Sequence, residues 1–72
     1  MDYRQRIWID PEIRFGKPVI KGTRIAVADV LEYMAGGDRD EDILREFPKV
    51  TAEDIAACLS YVADRERHTR IA

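Results

Sequence analysis

The stretch Gly16-Lys17-Pro18-Val19-Ile20-Lys21-Gly22-Thr23-Arg24-Ile25 decides how the rest of the chain is read. It is basic, punctuated by glycine and β-prone, and an amphipathic helical pattern starts directly after it. Val19-Ile20-Lys21 suits a short strand, and Gly22-Thr23 marks a turn in which Gly22 takes a positive φ. Upstream, Ile7-Trp8-Ile9 is a second β-prone run. Asp10-Pro11 ends it, because proline donates no ladder hydrogen bond and pushes its predecessor out of the helical region. The two runs are predicted to pair as a two-stranded β-hairpin over residues 7–25. Asp10 to Gly16 forms the connecting loop, with Ile13 and Phe15 folded back onto the core. A lone hairpin is marginal in water, so it needs helices or a second chain to pack on.

Downstream, Val27, Val30, Leu31 and Met34 recur at helical spacing, and Gly36-Gly37 supplies the stop, so the first helix is predicted at about Val27–Ala35. Asp38 with Glu41 three residues on reads as an N-cap and capping box for a second helix at about Arg39–Phe47. Its apolar face is Ile43, Leu44 and Phe47. Thr51-Ala52-Glu53-Asp54 repeats the box, with Asp in the usual Glu/Gln place. It opens a third helix with the stripe Ile55, Cys58, Leu59, Val62, which is expected to run on into Asp64-Arg65-Glu66-Arg67 before fraying. Residues 1–6 are polar and expected to be loose. The organisation is a single domain over 1–72, mainly α: hairpin and signature at 7–25, a three-helix bundle at 26–63, and a charged tail at 64–72.

Seventy-two residues bury only about 60% of their unfolded surface, so a domain of this size often leans on a staple or a partner. With one Cys and one His, neither a disulfide nor a four-ligand zinc site is available within the chain. Self-association, as a homodimer, or a partner protein is the expected substitute. No apolar run approaches the ~18 residues of a membrane span, Met1-Asp2-Tyr3-Arg4 does not open a signal peptide, and a lone Cys fits a reducing cytoplasm.

Charge is distributed unevenly along the sequence. Residues 1–24 carry Arg4, Arg6, Arg14, Lys17, Lys21 and Arg24 against three acids. Residues 25–62 carry nine acids against Arg39, Arg45 and Lys49, and the tail adds Arg65, Arg67 and Arg70 against Asp64 and Glu66. A basic front and an acidic body suit head-to-tail or hetero-association better than a uniform nucleic-acid surface.

The Gly16–Ile25 string, preceded by Asp10-Pro11-Glu12-Ile13 and followed by Ile43-Leu44, Phe47-Pro48 and Thr51-Ala52-Glu53-Asp54-Ile55, resembles a bacterial family of small domains first catalogued as DUF 433. Members are often described as VapB-type antitoxins encoded beside a PIN-like ribonuclease. The resemblance covers about residues 7–63. It implies a three-helix, homeodomain-like or winged-helix-like bundle with an N-terminal hairpin, and a function in neutralising a ribonuclease toxin. Two departures stand out. Ala26 occupies a position where the family commonly has proline, and the chain has no room for the added DNA-binding region of longer relatives.

The residues themselves leave three function classes to weigh. Catalysis is not expected: Cys58 lies on the apolar stripe of the third helix, His68 in the tail, and no catalytic motif is present. The carboxylates Asp38, Asp40, Glu41 and Asp42 suit the positive end of a helix dipole rather than a metal, and no cofactor is expected. DNA binding is invited by the helix-turn-helix-length connection Pro48-Lys49-Val50, but Glu53 and Asp54 at the third helix's start would both repel phosphates. The better nucleic-acid contacts are Arg4, Arg6, Lys17, Lys21 and Arg24. For the toxin reading, Arg65, Arg67 and Arg70 are the candidate contacts, because arginine pairs bidentately with the carboxylates of a metal-binding active site. In the signature, Gly16, Lys17, Pro18, Ile20, Gly22, Thr23, Arg24 and Ile25 read mainly as scaffold, with Thr23 and Arg24 joining the hairpin to the helices and Arg24 pairing with an internal carboxylate. Ile7, Trp8 and Ile9 form a candidate dimer edge. The antitoxin is the leading reading and a helix-turn-helix regulator the alternative.

Overall fold

The three helices all begin in the same way. In each, an aspartate in the first turn accepts the backbone N–H of the residue just before the helix. Asp29 takes the Ala26 N–H at 3.0 Å, Asp42 takes Arg39 at 2.8 Å, and Asp54 takes Thr51 at 2.9 Å. These bonds satisfy donors that a helix start leaves orphaned, and the carboxylates sit at the favourable end of the dipole. The computed structural model describes residues 2–68, in which α1 spans Val27–Ala35, α2 Asp40–Glu46 and α3 Ala52–Arg67.

The first and third helix starts fall where the sequence puts them. The second is shifted by one residue: Arg39, not Asp38, is the cap, and Asp42, not Glu41, reaches back. Asp38 instead ends α1. Its N–H donates to Tyr33 O at 3.0 Å and that of Gly37 to Met34 O at 3.0 Å, the paired bonds of a Schellman stop, with Gly37 at φ +103.

The N-terminal sheet pairs β1 (Ile7–Trp8) antiparallel with β2 (Val19–Ile20), in the register Ile7 to Ile20 and Trp8 to Val19. The far side of β2 is closed by the chain itself: Ile20 N–H donates to Ile25 O at 2.9 Å and Val27 N–H to Pro18 O at 2.9 Å. The signature therefore doubles back and delivers α1 against β2. Ile7, Ile20, Val27, Val30, Ile43, Val50, Ile55, Ala57, Cys58 and Tyr61 form the core, to which both strands and all three helices contribute. The architecture is the mainly α bundle with an N-terminal two-stranded sheet expected from the sequence. Residues 64–67 complete α3.

Residues 2–6 are not loose. Tyr3–Gln5 form a 3₁₀ turn capped by the Asp2 side chain. The Tyr3 ring meets Tyr61 edge-on at 5.4 Å, and its hydroxyl donates to Asp64. An aromatic pair of this kind is worth about 0.5–1.5 kcal/mol beyond its buried area, enough to hold a short polar segment in place.

Candidate functional site

Two of the three helix-start aspartates also bind an arginine from the N-terminal segment. Arg6 reaches Asp54 at 3.1 Å, and Arg14 reaches Asp29 at 2.9 Å. The third, Asp42, pairs locally with Arg45. The sheet is thus fastened to the bundle by ion pairs that reuse the capping carboxylates. Asp54 is buried, so an unpaired charge there would be costly. Burial by itself would raise the Asp29 carboxyl. The Arg14 and Ala26 hydrogen bonds, with the charges of Arg14 and Lys17, outweigh it and hold the group below its ordinary value. Two of the six basic groups in residues 1–24, Arg6 and Arg14, are thus paired within the molecule.

The loop joining the strands carries the most unusual backbone in the chain. Arg14, Phe15 and Gly16 lie consecutively in the left-handed region, at φ 51, 59 and 81. Only glycine enters that region freely, and each other residue costs roughly 1–2 kcal/mol there. The turn is closed by Gly16 N–H to Ile13 O at 3.1 Å and Lys17 N–H to Arg14 O at 3.2 Å. The Arg14 guanidinium locks it by donating to Arg24 O at 2.8 Å as well as to Asp29. The result is a rigid knuckle that displays Phe15 at 98% exposure. This corrects the expectation that Phe15 folds onto the core: the left-handed turn aims it at solvent, while Ile13 is half-buried.

Beside the knuckle lies an open apolar groove of about 490 Å³. Val27, Ala28 and Leu31 of α1 form one wall, and Tyr61 and Val62 of α3 the other. Lys17 and Pro18 line it from the signature, and Arg65 and Glu66 from the end of α3. The Arg65 guanidinium lies 5.7 Å from the Tyr61 ring centre.

The other residues singled out in the sequence fall as follows. Gly22 takes a positive φ in its turn. Thr23 closes that same turn, its hydroxyl donating to Ile20 O at 2.8 Å and accepting the Ile25 N–H at 3.0 Å, so it does not bridge to the helices. Arg24 is exposed and pairs with no carboxylate among the described residues; the bridging expected of it is made by Arg14. Ile20 is core, and Ile25 packs against it. Of the candidate edge, Ile7 is buried in the core, whereas Trp8 and Ile9 are exposed. Of the candidate nucleic-acid contacts, Arg6 is committed to Asp54, the Lys21 ammonium sits 5.2 Å over the Trp8 ring, and Arg4, Lys17 and Arg24 are exposed. Arg65 and Arg67 ride the last turn of α3, Arg67 pairing with Asp64 at 3.1 Å, and Arg70 lies outside the described residues.

Chemically reactive groups are sparse. Burial, with the Asp54 charge adding, pushes the Cys58 thiol up to about 11. His68 caps α3 from a largely exposed position 3.6 Å from Asp64. Among the described residues no three His, Cys, Asp or Glu side chains gather as a metal site, and no helix is long and apolar enough to cross a membrane. The residues sequence reasoning missed are Arg14, Asp29 and Phe15. Gly16 was a signal for a left-handed turn, but nothing marked its two predecessors as sharing that conformation.

The chain is similar to the uncharacterized protein y4eO of Sinorhizobium fredii (strain NBRC 101917 / NGR234), at 36% identity over 58 residues. That match takes in 81% of this chain and 26% of y4eO. Its fold is also that of a crystal structure of a DUF433 member protein from Anabaena variabilis ATCC 29413, with a TM-score of 0.83 at 31% identity. The likeness covers 89% of this chain and 63% of that one, so the chain spans less than two thirds of either relative. Residues 7–62, which hold the sheet, the knuckle and nearly all of the bundle, match the family described as "Protein of unknown function (DUF433)", and the chain belongs to that family.

Proposed function

We propose that the chain works by stoichiometric binding to another protein and not by catalysis, as the VapB-type, antitoxin-like member of a type II toxin–antitoxin pair acting on a PIN-like ribonuclease in the cytoplasm. The observation that supports this is the arginine-bearing end of α3, where Arg65 and Arg67 alternate with Asp64 and Glu66. Arg65 and Arg67 are exposed on the final turn of a sixteen-residue helix, and Arg70 follows in sequence. A guanidinium on a helical support is pre-organised for bidentate pairing with the carboxylates of an acidic, metal-binding ribonuclease site. The test is co-purification with a ribonuclease of the PIN-like class encoded in the same operon, where the genomic neighbourhood supplies one, followed by an RNA-cleavage assay. Stoichiometric inhibition by the wild type, weakened at least tenfold by Arg65→Glu, Arg67→Glu and Arg70→Glu combined, is expected. Absence of binding and inhibition by the wild type overturns the reading.

One observation favours the DNA-binding alternative. Asp54 turns inward to Thr51 and Arg6, so the first turn of α3 presents a single exposed carboxylate, Glu53, beside Lys49. The expected repulsion of phosphate is halved. Gel shifts on the upstream promoter region at low salt, with and without the ribonuclease, decide it.

A further inference from the structure

We propose that Phe15 is a second anchor for the partner protein, its ring entering an apolar pocket of that protein while the arginines at the end of α3 meet the partner's carboxylates. The proposal rests on the reading above, in which the partner is a PIN-like ribonuclease, and adds a point of attachment to it.

The knuckle holds its ring outside at a cost. Arg14 and Phe15 both have positive φ, a region unfavourable to any residue with a Cβ. The ring returns no packing for this, since Phe15 is 98% exposed. Trp8, Ile9 and Leu59, the other exposed large hydrophobic residues among those described, all keep more of their surface covered. Strained backbone that its surroundings over-determine gathers at binding sites and ligand clamps. The over-determination is explicit here. Arg14 donates to Arg24 O and to Asp29, and the Gly16 and Lys17 N–H groups close the turn on either side of Phe15. A ring carried on so fixed a backbone has only its own rotation to lose on binding, and that pre-organisation is what an aromatic anchor needs.

Lys17 ties the knuckle to the surface assigned above to the partner. It follows Phe15 by two residues, so the two Cα atoms lie within about 7 Å of each other whichever way the ring points. Lys17 also lines the groove that Arg65 lines from the end of α3. A partner held at the end of α3 therefore meets the base of the knuckle across one groove. Charge points to the same partner. Arg14 is paired with Asp29, and its hydrogen bond to Arg24 O brings that residue alongside. The exposed charges about the knuckle are then the cations Lys17 and Arg24 against Glu12, a balance that favours a carboxylate-bearing surface.

The experiment is calorimetric titration of the full chain into the ribonuclease of the PIN-like class encoded in the same operon. The wild type is expected to bind. Phe15→Asn removes the ring but keeps a residue that tolerates the left-handed region, so it is expected to fold at least as stably and to bind at least tenfold more weakly. Phe15→Leu keeps apolar bulk and is expected to bind more tightly than Phe15→Asn. A benzophenone amino acid at position 15, in a chain whose circular dichroism matches the wild type, is expected to cross-link into the ribonuclease. Binding by Phe15→Asn equal to that of the wild type, Phe15→Leu as weak as Phe15→Asn, or cross-links only into a second copy of this chain overturns the proposal and leaves the antitoxin reading standing. A wild type that binds no ribonuclease overturns both.

Discussion

Arg6 and Asp54 stand 48 residues apart in sequence and 3.1 Å apart in space, and the same carboxylate accepts the Thr51 N–H at 2.9 Å. One side chain thus starts α3 and fastens the segment that leads into β1. Asp54→Ala removes the ion pair and the cap together and should cost about 2–3 kcal/mol. Arg6→Ala keeps the cap but leaves the buried carboxylate without its counter-ion, and should cost less than Asp54→Ala, about 1–2 kcal/mol. Denaturant melts of the two single variants and the double variant measure the difference as a coupling energy.

Phe15→Gly is expected to stabilise the fold. The ring makes almost no contact and sits in a left-handed conformation costing roughly 1–2 kcal/mol, while glycine's extra unfolded-state freedom returns about 0.5–1 kcal/mol of that. A net gain of about 0.5–1 kcal/mol in chemical denaturation is the expected result. An equal loss would mean that the ring contributes packing the exposed knuckle does not reveal.

The pH dependence has two ends with opposite signs. Asp29 and Asp64 both titrate below their ordinary 3.8 in the folded state, Asp64 chiefly because the Tyr3 hydroxyl donates to it. Their contribution is present above about pH 4 and is lost as pH falls through the lowered folded values. Tyr3 shifts the other way, raised above 10.0 chiefly by that same hydrogen bond, so its contribution is complete below pH 10 and disappears as pH rises through the raised value. Tyr3→Phe should flatten the alkaline limb of a melting-temperature profile and reduce the acid limb, leaving the part due to Asp29 and that due to the charges of His68, Arg67 and Arg4 around Asp64.

Cys58 reports global opening. It is fully buried and its thiol is pushed up to about 11, so at pH 8 in native buffer it should resist thiol reagents. The labelling rate should rise with denaturant in step with unfolding. Fast native labelling would show that α3 opens locally.

The legible part of this fold was its periodic part. The α1 bounds follow from an apolar stripe between a signature and a glycine stop, and the α3 start from Thr51 and Asp54. The α2 start reads one residue early, from Asp38 with Glu41, because aspartate is a favoured cap and arginine is not. Tertiary structure moved the start to Arg39 with Asp42, using Asp38 to finish α1. Hydrophobicity placed Phe15 inside, since nothing about phenylalanine announces a left-handed backbone. Arg14 looked like one more surface cation until its tethers to Arg24 O and Asp29 gave it a place. Pairings across long separations, such as Tyr3 with Asp64, leave no trace in spacing.

The contact between Tyr3 and Asp64 carries one more consequence. It brings the start of the folded unit and the last turns of its final helix to a single corner. Sequence added before Tyr3 and sequence following Arg67 would therefore leave from neighbouring points. A unit with that geometry can be spliced into a loop of a host protein without stretching the host, or permuted by a short linker between its ends. Fluorescent fusions at both ends of this domain would report on each other at close range, and a break in the Tyr3 contact would show as their separation.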